Sequence, residues 1–134
     1  MILVDTSVLI DFFKGENNDP TRRFRIILEQ SLPFGITPLI FQEVLQGAKT
    51  EGEFRRLNKY LRTQRFYHPK SPLDSFEAAA RLYFRCRRKG LTIRSTIDCL
   101  VAQITIENNL ALLHNDNDFE LISSVVPLKF WTIE

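Results

Sequence analysis

Apolar and polar residues fall into short blocks along this chain, and the blocks alternate between two periods. Residues 2–5 (ILVD) are apolar, β-branched and too few for a helix, while TSVLIDFF after them opens on two good N-cap residues. The pattern predicts a strand, a turn and a helix. After the polar loop KGENND, Asp19 and Pro20 supply an N-cap and a first-turn proline for a helix through RRFRIILEQ, and PFGIT makes a second strand. Thr37 and Pro38 repeat the start signal for LIFQEVLQGA. Thr50 and Glu53 have capping-box spacing and open a helix, EFRRLNKYLRTQRF, with Phe54, Leu57 and Leu61 on one face.

Residues 67–71 (YHPKS) break that helix, and Ser71 and Pro72 start a long one that ends at Gly90, a natural C′ residue. Ser95 caps TIDCLVAQITIENN. LALLH reads as a buried strand, NDND as a polar turn, FELISS as a short helix and VPLKFW as a last strand. Strands alternating with helices predict an α/β fold: a three-layer α/β/α arrangement around a central parallel sheet of four to five short strands, in one domain over residues 1–134. In open sheets of this kind ligands bind outside the carboxyl ends of the strands.

Composition narrows the class. With 44% hydrophobic and 25% charged residues and no run of 18 apolar ones, the chain has a globular composition and no membrane span is expected. The N-terminal apolar stretch carries Asp5 and Asp11 and lacks a basic leader, so a cytoplasmic location is expected. Cys86 and Cys99 match no zinc spacing and are expected as free thiols, with Cys99 in the packing. Net charge is only +2, yet twelve of the 18 Lys and Arg lie between Glu53 and Arg94 against three acids. That basic middle suits a polyanion such as RNA, with Arg85, Arg88 and Arg94 as candidate contacts; a pair of solvated helix faces is the alternative.

The predicted topology sends several acids to one rim. Asp5 ends the first strand, Asp116 follows LALLH by two residues, Glu43 lies in the first two turns of the helix after PFGIT, and Asp98 stands three residues past Ser95. Asp118 shares the turn with Asp116. Each acid has a structural alternative: Asp5 as a helix cap, Asp98 as a capping-box acid, Asp116 and Asp118 as turn formers. Glu43 differs, because its helix is otherwise apolar and a carboxylate there wants a partner. Carboxylates crowded at about 4 Å repel by about 4 kcal/mol per pair at an effective dielectric of 20, so a shared rim calls for a cation. All-oxygen ligands select a hard ion, Mg2+ or Mn2+, and such a site suits phosphoryl chemistry.

The same residues carry a resemblance. ILVDTSVLIDFF, EVLQG from Glu43, RSTIDCLVAQ from Arg94 and HNDNDF from His114 resemble, in order and interval, the four acidic motifs of PIN-domain ribonucleases, most closely the VapC-like toxins of type II toxin-antitoxin modules. The resemblance covers essentially the whole chain. It implies a Mg2+-dependent endoribonuclease cutting single-stranded regions of tRNA or mRNA, a cognate antitoxin that blocks the site, and a homodimer. It also implies that Asp5, Glu43, Asp98 and Asp116 form the acidic quartet, with Asp118 an accessory metal ligand and Thr6 the hydroxyl beside the first acid. Asn115 departs from the pattern, in which Thr or Ser is common, and so alters a hydrogen bond around the ligands. His114 reads as a strand-end polar residue, His68 as a loop residue, and Phe12, Phe13, Phe41, Phe76, Tyr83 and Phe84 as core or interface. Two rival readings exist. A haloacid-dehalogenase-like phosphatase needs an Asp two residues after the first, where Ser7 stands; a catalytically silent RNA-binding or antitoxin-docking domain would use the acids only as caps.

Overall fold

The computed structural model describes residues 1–133; Glu134, the end of the expected domain, lies outside the described residues. β1 (Ile2–Val4) leads into α1 (Thr6–Phe13) and α2 (Asp19–Glu29), β2 (Phe34–Ile36) into α3 (Pro38–Gln46) and α4 (Glu51–Arg62), and β3 (Arg65–Phe66) into α5 (Pro72–Arg88) and α6 (Thr96–Glu107), before β4 (Ala111–Leu113) and α7 (Asn117–Ser123). The four strands form one parallel sheet in the order β3-β2-β1-β4, the centre of a three-layer α/β/α arrangement. Because β1 and β2 lie inside this sheet, they read as unbroken apolar runs: Leu3, Val4 and Ile36 are fully buried. Their core partners come from the helices, chiefly Val8, Leu9, Phe24, Ile27, Ile40, Phe119 and Ile122.

β1 pairs with β4 in the register Ile2–Ala111, Leu3–Leu112 and Val4–Leu113. Parallel pairing with no offset brings the two carboxyl ends to one place, and the Asp5 N–H extends the ladder by donating to the Leu113 carbonyl at 3.0 Å. α1 packs on α2 and α3, α3 on α4, and α5 on α6 and α7.

Several predicted boundaries move. The helix expected to run through Phe66 stops at Arg62, and Arg65 and Phe66 become the sheet-edge strand β3, because pairing with Gly35 and Ile36 outweighs local helix propensity. The last predicted strand, VPLKFW, is reduced to one bridge, Leu112 to Phe130. α2 is capped by Asn18 rather than Asp19: Asn18 Oδ1 accepts from the Thr21 N–H and Thr21 Oγ1 from the Asn18 N–H, both at 3.0 Å, while Asp19 pairs with Arg22 at 2.6 Å. Thr50 accepts from the Glu53 N–H as expected. Ser71 and Ser95 occupy N-cap positions without side-chain caps. Gly90 ends α5 with φ of 76°, the left-handed conformation that position requires. Both cysteines are free and buried. Among the aromatics, Phe76 and Phe84 stand outside the core at 54% and 55% exposure. Among the described residues no helix is long and apolar enough to cross a membrane.

Gly35 is needed for a different reason from Gly90. A Cβ there would stand 2.5 Å from the Tyr67 ring and 2.8 Å from the Arg65 carbonyl, so the close approach of β3 to β2 depends on the missing methyl. Gly35→Ala is expected to destabilise the chain by roughly 1–3 kcal/mol, lowering the midpoint of a thermal melt by several degrees; an unchanged midpoint would show that β3 can shift at no cost.

Candidate functional site

Asp5 leaves β1 with extended backbone and caps α1, its Oδ2 accepting from the Ser7 N–H at 3.0 Å and the Ser7 hydroxyl at 2.7 Å. Ser7 Oγ in turn accepts from the Asn115 N–H at 2.9 Å. One hydroxyl therefore ties the turn after β1 to the turn after β4, and this link was not read from the sequence, where Ser7 figured as an N-cap candidate. The signal was present: a Ser two residues after an N-cap Asp is placed to donate to it. Thr6, beside Asp5, donates its hydroxyl to Glu43 Oε1 at 2.7 Å, which supplies the partner that Glu43 wants on an apolar helix.

Asp116 caps α7 by accepting from the Asp118 N–H at 3.0 Å. Asp118, expected in a turn, sits in the first turn of α7, nearly fully buried, with Oδ2 accepting from the Arg94 backbone N–H at 2.9 Å. Asp98 stands in the first turn of α6, also buried. Carboxylate oxygens of Asp98, Asp116 and Asp118 all lie within 4.8 Å of one another. Asp5 is close enough that its charge acts on Asp98.

The Arg94 side chain turns to these acids, with Nη2 3.4 Å from Asp116 and Nε 3.5 Å from Asp118. Arg85 and Arg88 stand in the last turns of α5: Arg85 donates to the Val125 carbonyl at 3.1 Å, and the Arg88 guanidinium lies 5.6 Å from the Phe84 ring centroid. The Asn115 amide donates to Asp11 at 3.0 Å, and its backbone N–H donates to Ser7 beside the site. His114 packs between the Phe119 and Phe130 rings, and its Nδ1 accepts from the Asp116 N–H at 3.1 Å, which holds the turn in place.

Burial and mutual repulsion decide the protonation of this cluster. Burial pushes the Asp98 carboxyl up to about 8, with the charges of Asp5, Asp116 and Asp118 acting in the same direction. Burial likewise raises Asp5 to about 6, against the lowering effect of the two Ser7 hydrogen bonds and with a smaller upward push from Glu43. Asp5 and Asp116 do structural work as caps, whereas Asp98 stands in the first turn of α6 without capping it. Among the described residues its Oδ2 is a buried oxygen with no hydrogen-bond partner. A buried acceptor normally finds a donor, and leaving one unmet costs about 1–3 kcal/mol. A cation would satisfy it. An all-oxygen donor set of carboxylates fits a hard divalent ion such as Mg2+ or Mn2+ rather than a thiophilic one.

Residues 2–124 match the PIN domain family model. The chain is 30% identical over 130 residues to VapC ribonuclease Mb1587 of Mycobacterium bovis and, with the same figures, to ribonuclease VapC11 of Mycobacterium tuberculosis, 96% of both chains being covered in each case. It superposes on the toxin-antitoxin complex from Klebsiella pneumoniae with a TM-score of 0.70 at 25% identity, over 97% of this chain and all of that one. VapBC-1 from nontypeable Haemophilus influenzae has the same fold, with a TM-score of 0.72 at 18% identity over 98% and 97% of the two chains. A parallel sheet with acids gathered at its carboxyl edge, the match over nearly the whole length and the identity to ribonucleases of the VapC type lead to one conclusion: this chain belongs to the PIN-domain family, among its VapC-like members.

Proposed function

We propose that this chain is a divalent-metal-dependent endoribonuclease, Mg2+ being the ion and Mn2+ a substitute, that cleaves single-stranded regions of tRNA or mRNA in the cytoplasm as the toxin of a toxin-antitoxin pair. The observation that carries the reading is Asp98: a buried carboxylate with an unmet oxygen, facing Asp116 and Asp118. The ribonucleases to which the chain is 30% identical, and the toxin-antitoxin complex whose fold it shares, support the activity and the antitoxin partner. A homodimer and a single domain over the full length complete the reading.

In this reading Asp98, Asp116 and Asp118, with Asp5 beside them, hold the ion. When bound, the ion supplies charge neutralisation and an activated water for attack on a phosphodiester. The chain's own residues do the rest. Ser7 fixes Asp5 and joins the two strand-end turns, so the acids keep their spacing through two hydroxyl hydrogen bonds. Thr6 occupies one oxygen of Glu43 and so orients that carboxylate, which serves as a ligand or accepts a proton from the attacking water. Arg94 lies over Asp116 and Asp118 with its side chain 74% exposed, so it can stay on the acids or swing to a phosphate. Arg85 and Arg88 extend the positive surface along α5 toward the RNA backbone.

Asp98→Asn keeps the shape of the side chain and removes the charge, so cleavage of single-stranded RNA in Mg2+ is expected to fall by at least a hundredfold, on the order of 3 kcal/mol in transition-state stabilisation. Turnover within tenfold of the parent would refute the assignment. The pH dependence of stability gives a second check. A carboxyl whose folded pKa is raised favours the native state while protonated; that contribution is whole below the unfolded value of 3.8 and is lost as pH rises through the folded value, about 8 for Asp98. In chelator, therefore, the wild-type melting midpoint should drop between pH 6 and pH 9 more than that of Asp98→Asn. Excess Mg2+ should restore it in the wild type, by about 1.4 kcal/mol at ten times Kd, and scarcely move the variant. Parallel pH profiles for the two proteins would return Asp98 to a purely structural role. For the basic helix, Arg85→Ala with Arg88→Ala is expected to weaken RNA binding and reduce the slope of log K against log salt by about 1–2; an unchanged slope would make α5 a solvated face.

A further inference from the structure

A cavity of about 390 Å3 opens beyond the carboxyl end of β4, with Arg23, His114, Asn115, Asn117, Glu120 and Trp131 in its wall. Its size falls within the range of small-ligand sites, roughly 300–1,000 Å3, and its lining mixes aromatic and polar groups as such sites do. Asp116 belongs both to this wall and to the acidic cluster, so the cavity adjoins the proposed metal centre. The wall is held firmly. Leu112 donates its N–H to the Lys129 carbonyl at 2.8 Å and accepts from the Trp131 N–H at 2.9 Å, which pins the segment bearing Trp131 to the sheet edge. The Phe130 ring lies 4.6 Å from the ring of His114. This segment lies beyond residue 124, where the family match ends.

We propose that this cavity is a nucleobase subsite of the RNA strand, selective for guanine, with Trp131 as its aromatic wall; the inference rests on the nuclease reading and extends it to sequence preference. A base is flat, aromatic and uncharged, and unpaired RNA bases are recognised by stacking on aromatic side chains and by hydrogen bonds along their edges. Glu120 offers only acceptors and Arg23 only donors. Guanine's Watson–Crick edge sets two adjacent N–H donors, suited to both oxygens of one carboxylate, beside a carbonyl suited to a guanidinium. Uracil has a single N–H between two carbonyls and can use Glu120 only once. A bare phosphate is disfavoured, because Glu120 and Asp116 face it, while Arg23 is also paired with Asp19 at 3.7 Å and Arg94 is engaged by Asp116 and Asp118. With a base seated here, the adjoining phosphate comes to Asp116 and the acids beside it.

The chain has one tryptophan, so the indole N–H of Trp131 gives one resolved signal in a nitrogen-15 correlation spectrum of the whole protein. In chelator, guanosine, uridine and ribose 5-phosphate are titrated separately. Guanosine is expected to shift the indole signal saturably, uridine to bind at least fivefold more weakly, and ribose 5-phosphate to leave the signal in place. Glu120→Gln, exposed and outside the acidic cluster, should weaken guanosine by about tenfold and uridine by much less. An indole signal that ignores every nucleoside, that moves equally with uridine and guanosine, or that follows ribose 5-phosphate would overturn the proposal. RNA cleavage in Mg2+ is scored on the same preparation. A chain that cuts RNA while its indole ignores guanosine loses the subsite and keeps the nuclease; one whose indole responds while RNA stays intact loses the nuclease reading instead.

Discussion

Zero-offset pairing of β1 with β4 is the constraint on which the rest of the site depends. It joins residues more than a hundred positions apart, Val4 with Leu113, and so makes Asp5 and the 114–118 turn neighbours. Both strands then end at one level, and the side chains that leave them have nowhere to go but the same rim. The Asp5 N–H to the Leu113 carbonyl and the Asn115 N–H to Ser7 Oγ continue the pairing past the last ladder residues. A slip of this register by one residue would exchange the faces on which the fully buried Leu112 and Leu113 pack and part the Asp5 N–H from the Leu113 carbonyl, so core packing defends the geometry of the acids.

The acids do two kinds of work, and the structure separates them. Asp5 and Asp116 accept N–H groups at helix starts, where negative charge is favoured. Their helices would want a cap in any case. Asp98 and Asp118 are buried in the same small volume, and among the described residues a backbone donor meets Asp118 while Asp98 Oδ2 has none. The outcome is a cluster whose charge exceeds what Arg94 can balance, held together by a core that overrides its repulsion. Burial strengthens that repulsion, since a carboxylate removed from water is stabilised only by what faces it. The raised proton affinity of Asp98 and Asp5 is the same fact seen from the side of the proton: in the absence of another cation, a proton takes its place.

Much of this was legible from residue order. Thr before a proline marked the helix start at Thr37, capping-box spacing to Glu53 marked the one at Thr50, Gly90 ended α5, and buried-type runs located β1, β2 and β4. The acids Asp5, Glu43, Asp98 and Asp116 could be placed at one edge because strand ends and helix starts are local signals and a parallel sheet brings them to the same side. Local signals were weaker where two neighbours compete: Asn18 prevailed over Asp19 as a cap because Thr21 could answer it reciprocally, and Arg65 and Phe66 became a strand because Gly35 leaves room for them.

Sequence by itself thus determined the alternation of strands and helices, the apolar identity of the core and the set of carboxylates at the sheet edge, since each rests on spacing, propensity and burial habit within a dozen residues. Tertiary structure alone decided which atoms meet. That Ser7 bridges two turns, that Thr6 holds Glu43, that Arg94 lies on the acids instead of standing free, and that Asp98 keeps one oxygen unmet all depend on contacts across 20 or more residues. A hydrogen bond is set by angles and tenths of an ångström, and those are settled by the packing of the whole core, which no short stretch of sequence contains.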